Sequence, residues 1–226
     1  MYSTWPCPLH DGGMADEMVM GADTRRKRRV LIVAPLLDEA NKFRHQLAEI
    51  MRRLDVLGLD SFLPDLPGCN ESLQAHEHQT IEHWRTCVQE AYFQISATDI
   101  LAVRSGCWLV PTDARSWLYA PVKPAQVLRS LVRTRLLSAK EAGKQETAET
   151  LLETARHSGI ELAGWSLGPQ LVAELENAQF SPPPGSQIIE HEMVGGKPLW
   201  LRAENDWDPT QADAIATIVS RGASDK

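Results

Sequence analysis

Residues 29–72 decide the fold, and they read RVLIVAPLLDEANKFRHQLAEIMRRLDVLGLDSFLPDLPGCNES. The run 30–34 is short, apolar and closed by a proline, which is typical of a buried parallel strand. A helix is predicted over 39–57, because its apolar side chains recur at three- and four-residue spacing and Gly58 can cap its C-terminus. Residues 59–63 are the next predicted strand. Two strands joined by such a helix predict a right-handed βαβ unit.

The alternation of strands and helices continues along the chain, which favours an α/β fold throughout. The later predicted elements are a helix over 81–95, strands over 99–103 and 116–120, a helical stretch over 125–157, an extended segment over 159–164, a helix over 169–178, a hairpin over 188–202 and a last helix over 209–220. The hairpin is expected to turn at Gly195 and Gly196, and Asp208 followed by Pro209 is typical of a helix N-terminus. The least regular part lies between residues 121 and 185.

Charge and composition exclude some classes of function. The chain has 226 residues, 43% of them hydrophobic, and a net charge of -7. An acidic chain of this kind is not expected to bind nucleic acid. The basic run 25–29 could be a patch for nucleic acid or an anionic membrane, but no second cluster supports it, so we expect a solvated charge block before the first strand.

The N-terminus and the cysteines point to a reduced compartment. Cys7, Cys69, Cys87 and Cys107 form no Cys-x-x-Cys pair, which speaks against a zinc or redox motif. No apolar run has the ~20 residues of a membrane span. We therefore expect a cytoplasmic protein whose residues 1–28 form a mobile tail.

The first block resembles the front half of an α/β-hydrolase, and more narrowly the hydrolase-like proteins encoded beside exosortase (PEP-CTERM and exopolysaccharide) systems. The matching residues are Ala34, Pro35, Glu39, Asn41, Lys42, Arg44, Leu63 to Gly68 and Ser72, followed by Ala120 to Val122, Leu128 to Arg135 and Gly195 to Trp200. The resemblance spans roughly residues 29–202. It implies a doubly wound, mostly parallel sheet with a helical cap insert. The core would comprise 29–121 and 181–222, and the cap 122–180.

The resemblance places a nucleophile after the 99–103 strand, on a tight strand-to-helix turn. Aligned on Gly106, the turn puts Arg104 at the nucleophile position, and the exosortase-linked relatives are expected to have arginine there too. Shifted by one residue, it puts Ser105 there but the β-branched Val103 where a small residue belongs. The oxyanion donor would be the backbone N–H of Leu36 or Leu37.

A second serine competes with Ser105. The segment 164–168, Gly-Trp-Ser-Leu-Gly, satisfies G-x-S-x-G around Ser166, but only 60 residues follow it. The one histidine downstream is His191, a candidate general base, although its place in the sequence favours a surface or edge-strand histidine. The sequence leaves three alternatives open: Ser105, Ser166, or no serine nucleophile.

Other polar residues are candidates for binding. Glu39, Asn41 and Arg44 open the first helix below the expected active-site mouth, where an acid also suits the helix dipole. His76, His78 and His83 lie in a polar stretch without a metal-binding motif, so we predict no metal and no cofactor.

These features predict an ester or thioester hydrolase with a degenerate elbow, associated with an exosortase system. The alternative is an inactive scaffold that binds a small anionic ligand, with Arg104 as the anion clamp, or a protein partner. The expected partners are a small acyl substrate or an anionic ligand, no nucleic acid, and a second copy in a homodimer. The sequence does not decide whether the chain is an enzyme.

Overall fold

A seven-stranded sheet forms the centre of the protein in its computed structural model, which describes residues 1–202 and 206–222. The order across the sheet is β1 (Tyr2–Pro8), β2 (Met14–Ala22), β4 (Asp60–Pro64), β3 (Arg29–Val33), β5 (Asp99–Val103), β6 (Ser116–Tyr119) and β9 (Gln187–Ile189). A two-stranded ribbon of β7 (Ile160–Leu162) and β8 (Trp165–Leu167) lies outside this sheet. The first two strands are antiparallel to their neighbours and the other pairs are parallel. The predicted mostly parallel α/β sheet is therefore confirmed.

The elements follow the chain in this order. The strands are β1 Tyr2–Pro8, β2 Met14–Ala22, β3 Arg29–Val33, β4 Asp60–Pro64, β5 Asp99–Val103, β6 Ser116–Tyr119, β7 Ile160–Leu162, β8 Trp165–Leu167 and β9 Gln187–Ile189. The α-helices are α1 Asp38–Val56, α2 Ile81–Gln94, α3 Pro124–Glu141, α4 Ala148–Ser158, α5 Pro169–Asn177, α6 His191–Val194 and α7 Pro209–Arg221. Short 3-10 helices cover His76–His78, Arg104–Leu109 and Leu199–Leu201.

Two hydrophobic cores cover the two faces of the sheet. Helices α1 and α7 close one face, where Phe43 and Trp117 are fully buried. Helix α2 and the segment from α3 to α5 close the other face around Trp84, and side chains of the β1-β2 hairpin join this core. Because both faces are covered, the central strands are apolar on both sides, which explains the uninterrupted apolar run of β3.

The expected mobile tail over residues 1–28 is wrong. Residues 2–22 form the β1-β2 hairpin, which extends the sheet by pairing β2 with β4. Trp5, Cys7 and Val19 are buried, and the indole of Trp5 donates a hydrogen bond to the carbonyl of Asp65 at 3.3 Å. The two-residue spacing of Trp5 and Cys7 before a Gly-Gly turn is a signal for this hairpin. The amino-acid composition of the segment does not show it.

Two predicted elements beyond α2 also differ. The expected 188–202 hairpin is wrong: Gln187–Ile189 pairs in parallel with β6, and helix α6 follows it at once. The helical stretch 125–157 is two helices, which break at residues 142–147 where Gly143 has a φ of 70°. In the second case a glycine follows the end of a helix that the apolar spacing alone would extend.

Three residues of the basic run 25–29 pair with carboxylates within the fold. Arg26 and Arg29 form ion pairs with the buried carboxylate of Asp60, and Arg28 forms one with Asp99. These contacts hold the N-terminal ends of three central strands together. These three arginines are therefore structural ion-pair partners, whereas the other two residues of the run are exposed, as expected of a solvated charge block.

Candidate functional site

The turn after β5 has the geometry of a nucleophile elbow, and Arg104 lies at its apex. Arg104 has a φ of 55°, the left-handed conformation that L-residues adopt only under constraint. A Cβ at Gly106 would lie 2.5 Å from the carbonyl oxygen of Ala34 and 2.6 Å from that of Val33. The turn thus presses against β3 and needs a glycine two residues after Arg104. This geometry supports the alignment that puts Arg104 at the nucleophile position.

Ser105 is turned into the protein. The residue is 1% exposed, and its hydroxyl accepts a hydrogen bond from the backbone N–H of Leu36 at 2.8 Å. Leu36 is one of the two expected oxyanion donors. Its backbone N–H is already bonded to the serine hydroxyl and is therefore not free for a substrate oxyanion. Leu37, the other expected donor, has a φ of 58° and immediately precedes α1.

The guanidinium of Arg104 is held by three hydrogen bonds and one aromatic ring. Nε and Nη2 donate to the two carboxylate oxygens of Glu39 at 2.9 Å each, and Nη1 donates to the carbonyl of Ala120 at 2.9 Å. Its central carbon lies 4.1 Å from the centre of the Trp200 ring. A two-bond fork of this kind fixes both side chains. Among the described residues, these contacts leave one N–H on each of Nη1 and Nη2.

A cleft of about 420 Å³ opens beside this pair. Leu36, Glu39 and Arg104 line it together with residues of helix α3. The other lining residues are Asp38, Lys42, Pro121, Val122, Gln126, Val127, Ser130, Leu131, Trp200 and Leu201. The volume falls in the range of small-molecule sites.

His191 lies next to this cleft but is committed to other groups. Its Nε2 is 3.1 Å from the carbonyl of Gly196, to which it can only donate, and its Nδ1 then accepts from the hydroxyl of Tyr119 at 2.9 Å. Burial raises the pKa of Tyr119 well above its usual range, so the phenol stays protonated and suited to donate. His191 begins α6 and does not lie inside a strand, as one alternative for it expected.

Ser166 is far from an elbow in its geometry. It lies in the middle of β8, which pairs antiparallel with β7, and its side chain is exposed. Its backbone carbonyl is 2.7 Å from Nδ1 of His76. An elbow places its serine at the turn between a central strand and a helix, whereas Ser166 lies inside a strand of the outer ribbon and α5 begins only at Pro169.

The remaining polar candidates do not all lie at the cleft. Glu39 faces the cleft, whereas Asn41 is exposed on α1. Arg44 lines a small depression near Asp65 instead, and its charge lowers the pKa of that carboxyl against a larger rise caused by burial. The structure therefore brings Leu36, Glu39 and Arg104 together and places Asn41 and Arg44 outside the cleft.

The histidine-rich stretch has structural contacts. His76 packs against the rings of Trp84 and Trp165, and His83 stacks on His10 with ring centres 3.7 Å apart. Within residues 1–202 and 206–222 no cluster of three or more His, Cys, Asp or Glu side chains is arranged to hold a metal ion. Over the same residues, no helix combines the length and the apolarity needed to traverse a bilayer.

Three residues of this region were not predicted from the sequence. Gln126 and Ser130 line the cleft from one face of α3, and Tyr119 holds His191. The signal for the first two is their four-residue spacing beside Val127 and Leu131, which predicts a helix face that is part polar and part apolar. Nothing in the sequence distinguishes Tyr119 from an ordinary buried strand residue, so its contact with His191 could not be predicted.

Comparison with known proteins agrees with this topology. No family model and no curated protein matches the sequence. A candidate hydrolase from Agrobacterium vitis S4 superposes with a TM-score of 0.58 at 11% identity over 97% of both chains. Mouse alpha/beta hydrolase domain-containing protein 10 gives 0.54 at 12% identity, over 83% of this chain and 77% of that one. The bottromycin epimerase BotH, solved with bottromycin A2, gives 0.51 at 12% identity over 97% of both chains.

These identities are too low to transfer an activity, but the shared arrangement of strands and helices is specific. The order of the five parallel strands, the tight turn after β5 and the helical segment after β6 all agree with the fold that the sequence predicts. The chain has the α/β-hydrolase fold.

Proposed function

We propose that this chain is a small-molecule binding protein built on the α/β-hydrolase fold, and that it holds a carboxylate or acyl ligand at Arg104. The observation that carries the proposal is the identity of the residue at the elbow apex. Where a hydrolase of this fold presents a nucleophile, this chain presents a guanidinium paired with Glu39.

Serine chemistry has little geometric support. A serine nucleophile needs a base within about 3 Å of its hydroxyl. In the described part of the chain neither Ser105 nor Ser166 has a hydrogen bond from its hydroxyl to a histidine. The ring nitrogens of His191 are both engaged elsewhere.

The cleft suits a ligand with one polar end. The two remaining N–H groups of Arg104 can donate to a carboxylate or carbonyl oxygen, and Gln126 and Ser130 add polar groups opposite. Val127, Leu131 and Trp200 offer an apolar wall for a short acyl chain. Since BotH is an epimerase with the same fold, the fold does not require that a bound acyl compound be hydrolysed.

Binding can be tested with linear carboxylates from acetate to octanoate. We expect at least one of them to raise the melting temperature of the protein, with a dissociation constant of about 1 mM or tighter. The Arg104→Lys variant keeps the charge but loses the fork, so affinity should fall about tenfold or more. Arg129→Lys, an exposed change, is the matched control. A folded parent that binds no member of the series at about 10 mM would refute the proposal.

Ester or thioester hydrolysis is the second candidate, favoured by the fold shared with the hydrolases. It would need a serine that reacts despite the geometry described above. Labelling with a serine-directed probe, described in the Discussion, separates the two candidates.

We also propose a cytoplasmic role beside an exosortase or exopolysaccharide system, supported by the sequence resemblance over residues 29–202. Deletion of the gene from its host should reduce secreted exopolysaccharide, and an unchanged yield would argue against this role. A homodimer stays a prediction.

A further inference from the structure

Two cysteines that are 80 positions apart in the sequence meet beneath the N-terminal hairpin. Cys7 on β1 and Cys87 on α2 are both fully buried and both free thiols. Their sulfur atoms share one acceptor, the carbonyl of Pro8, at 3.7 and 3.6 Å. The two thiols are therefore neighbours on facing elements and not isolated core residues.

A histidine completes this cluster. Nε2 of His83 lies 3.6 Å from the sulfur of Cys87, one helical turn away on α2. His83 is covered by the exposed ring of His10, in the turn of the hairpin. An imidazole at this distance can accept the thiol proton and stabilise the thiolate, which is the reactive form of cysteine.

The other two cysteines provide an internal contrast. Burial raises the pKa of Cys69 to about 12, and it also raises the pKa of Cys107. At Cys87 the hydrogen bond from Cys7 and the contact with His83 lower the pKa, against an opposing effect of burial. All four thiols are buried, so the difference comes from the neighbours.

We propose that Cys7 and Cys87 form a reactive thiol pair that hydrogen peroxide oxidises to a disulfide. The Cys87 thiolate attacks one peroxide oxygen, the O–O bond breaks, and hydroxide leaves with the proton held by His83 as water. Cys87 is then a sulfenic acid. The Cys7 thiol attacks its sulfur, an S–S bond replaces the S–O bond, and a second water leaves with the Cys7 proton.

Access to the pair is controlled by the hairpin. β1 is the edge strand of the sheet and pairs with β2 alone, so its local opening costs less than that of the central strands. The disulfide would tie this edge strand to α2. It should raise the melting temperature by about 5 to 10 °C, because it closes a long loop in the unfolded chain.

Peptide mapping after treatment of the reduced full-length protein with hydrogen peroxide tests the pair. We expect a cross-linked peptide containing Cys7 and Cys87, formed about tenfold faster than any oxidation of Cys69 or Cys107. In Cys7→Ser, a dimedone adduct should instead accumulate at Cys87. His83→Asn should slow the reaction, while Cys69→Ser should leave it unchanged.

The parent protein decides the outcome by itself if a variant fails to fold. Oxidation of Cys69 or Cys107 at the same rate as Cys87, or full retention of the Cys7 and Cys87 thiols in folded parent, would overturn the proposal. Its failure would leave carboxylate binding at Arg104 untouched, because the two sites share no residue.

Discussion

Replacing Arg104 with alanine is expected to lower the free energy of unfolding by about 3 kcal/mol or more. The side chains of Arg104 and Glu39 are 10% and 18% exposed, so the change leaves a carboxylate largely out of water without its partner. It also removes the contact with Trp200 and the donor to Ala120. Urea unfolding of parent and variant measures the loss.

A double variant gives the control for this prediction. Removing both charges together, as in Arg104→Met with Glu39→Leu, should cost much less than the single change, because no charge is left unpaired. A loss below about 1 kcal/mol for Arg104→Ala would show that the pair is as weak as one on the surface and does not fix the elbow.

Gly106→Ala is expected to have the largest effect of these changes. It should lower the free energy of unfolding by at least about 4 kcal/mol and leave most of the protein insoluble on expression. The added Cβ would meet two backbone carbonyls of the β3 end at 2.5 and 2.6 Å. Backbone at the centre of a packed sheet cannot move away as a flexible side chain can. Circular dichroism and thermal melting of any soluble fraction measure the effect.

Gly143→Ala is the matched control for that variant. Gly143 also has a positive φ, 70°, but nothing lies within 4 Å of the added atom. Gly143→Ala should lower the free energy of unfolding by about 1 kcal/mol, because of backbone strain alone. Equal stability losses at the two positions would show that the elbow does not press against β3.

The fold could be predicted from the sequence where one local pattern had one explanation. The apolar runs of β3 and β5 and the three- and four-residue spacing in α1 each specify an element, and their alternation specifies parallel pairing. The N-terminal hairpin had a weaker signal, limited to the spacing of Trp5 and Cys7 before a Gly-Gly turn. The burial of its strands depends on β4 and α2, which are distant in sequence.

The site shows the same division. The sequence predicted an elbow after β5 and left Arg104 and Ser105 as alternatives for its apex; the positive φ of Arg104 favours the first. The direction of the Ser105 hydroxyl and the partners of His191 depend on side-chain contacts across the fold, with Leu36 and Tyr119. Likewise, the sequence around Ser166 matches G-x-S-x-G. Only the pairing of β7 with β8 shows that this segment is a hairpin strand.

Labelling with a fluorophosphonate probe tests most directly whether a guanidinium has replaced the nucleophile. We expect the folded parent, Ser105→Ala and Ser166→Ala to show the same background signal as heat-denatured protein, because neither serine hydroxyl is bonded to a base. Strong labelling of the parent that disappears in one of the two variants would identify a serine nucleophile and contradict the assignment of Arg104 as the residue that defines this site.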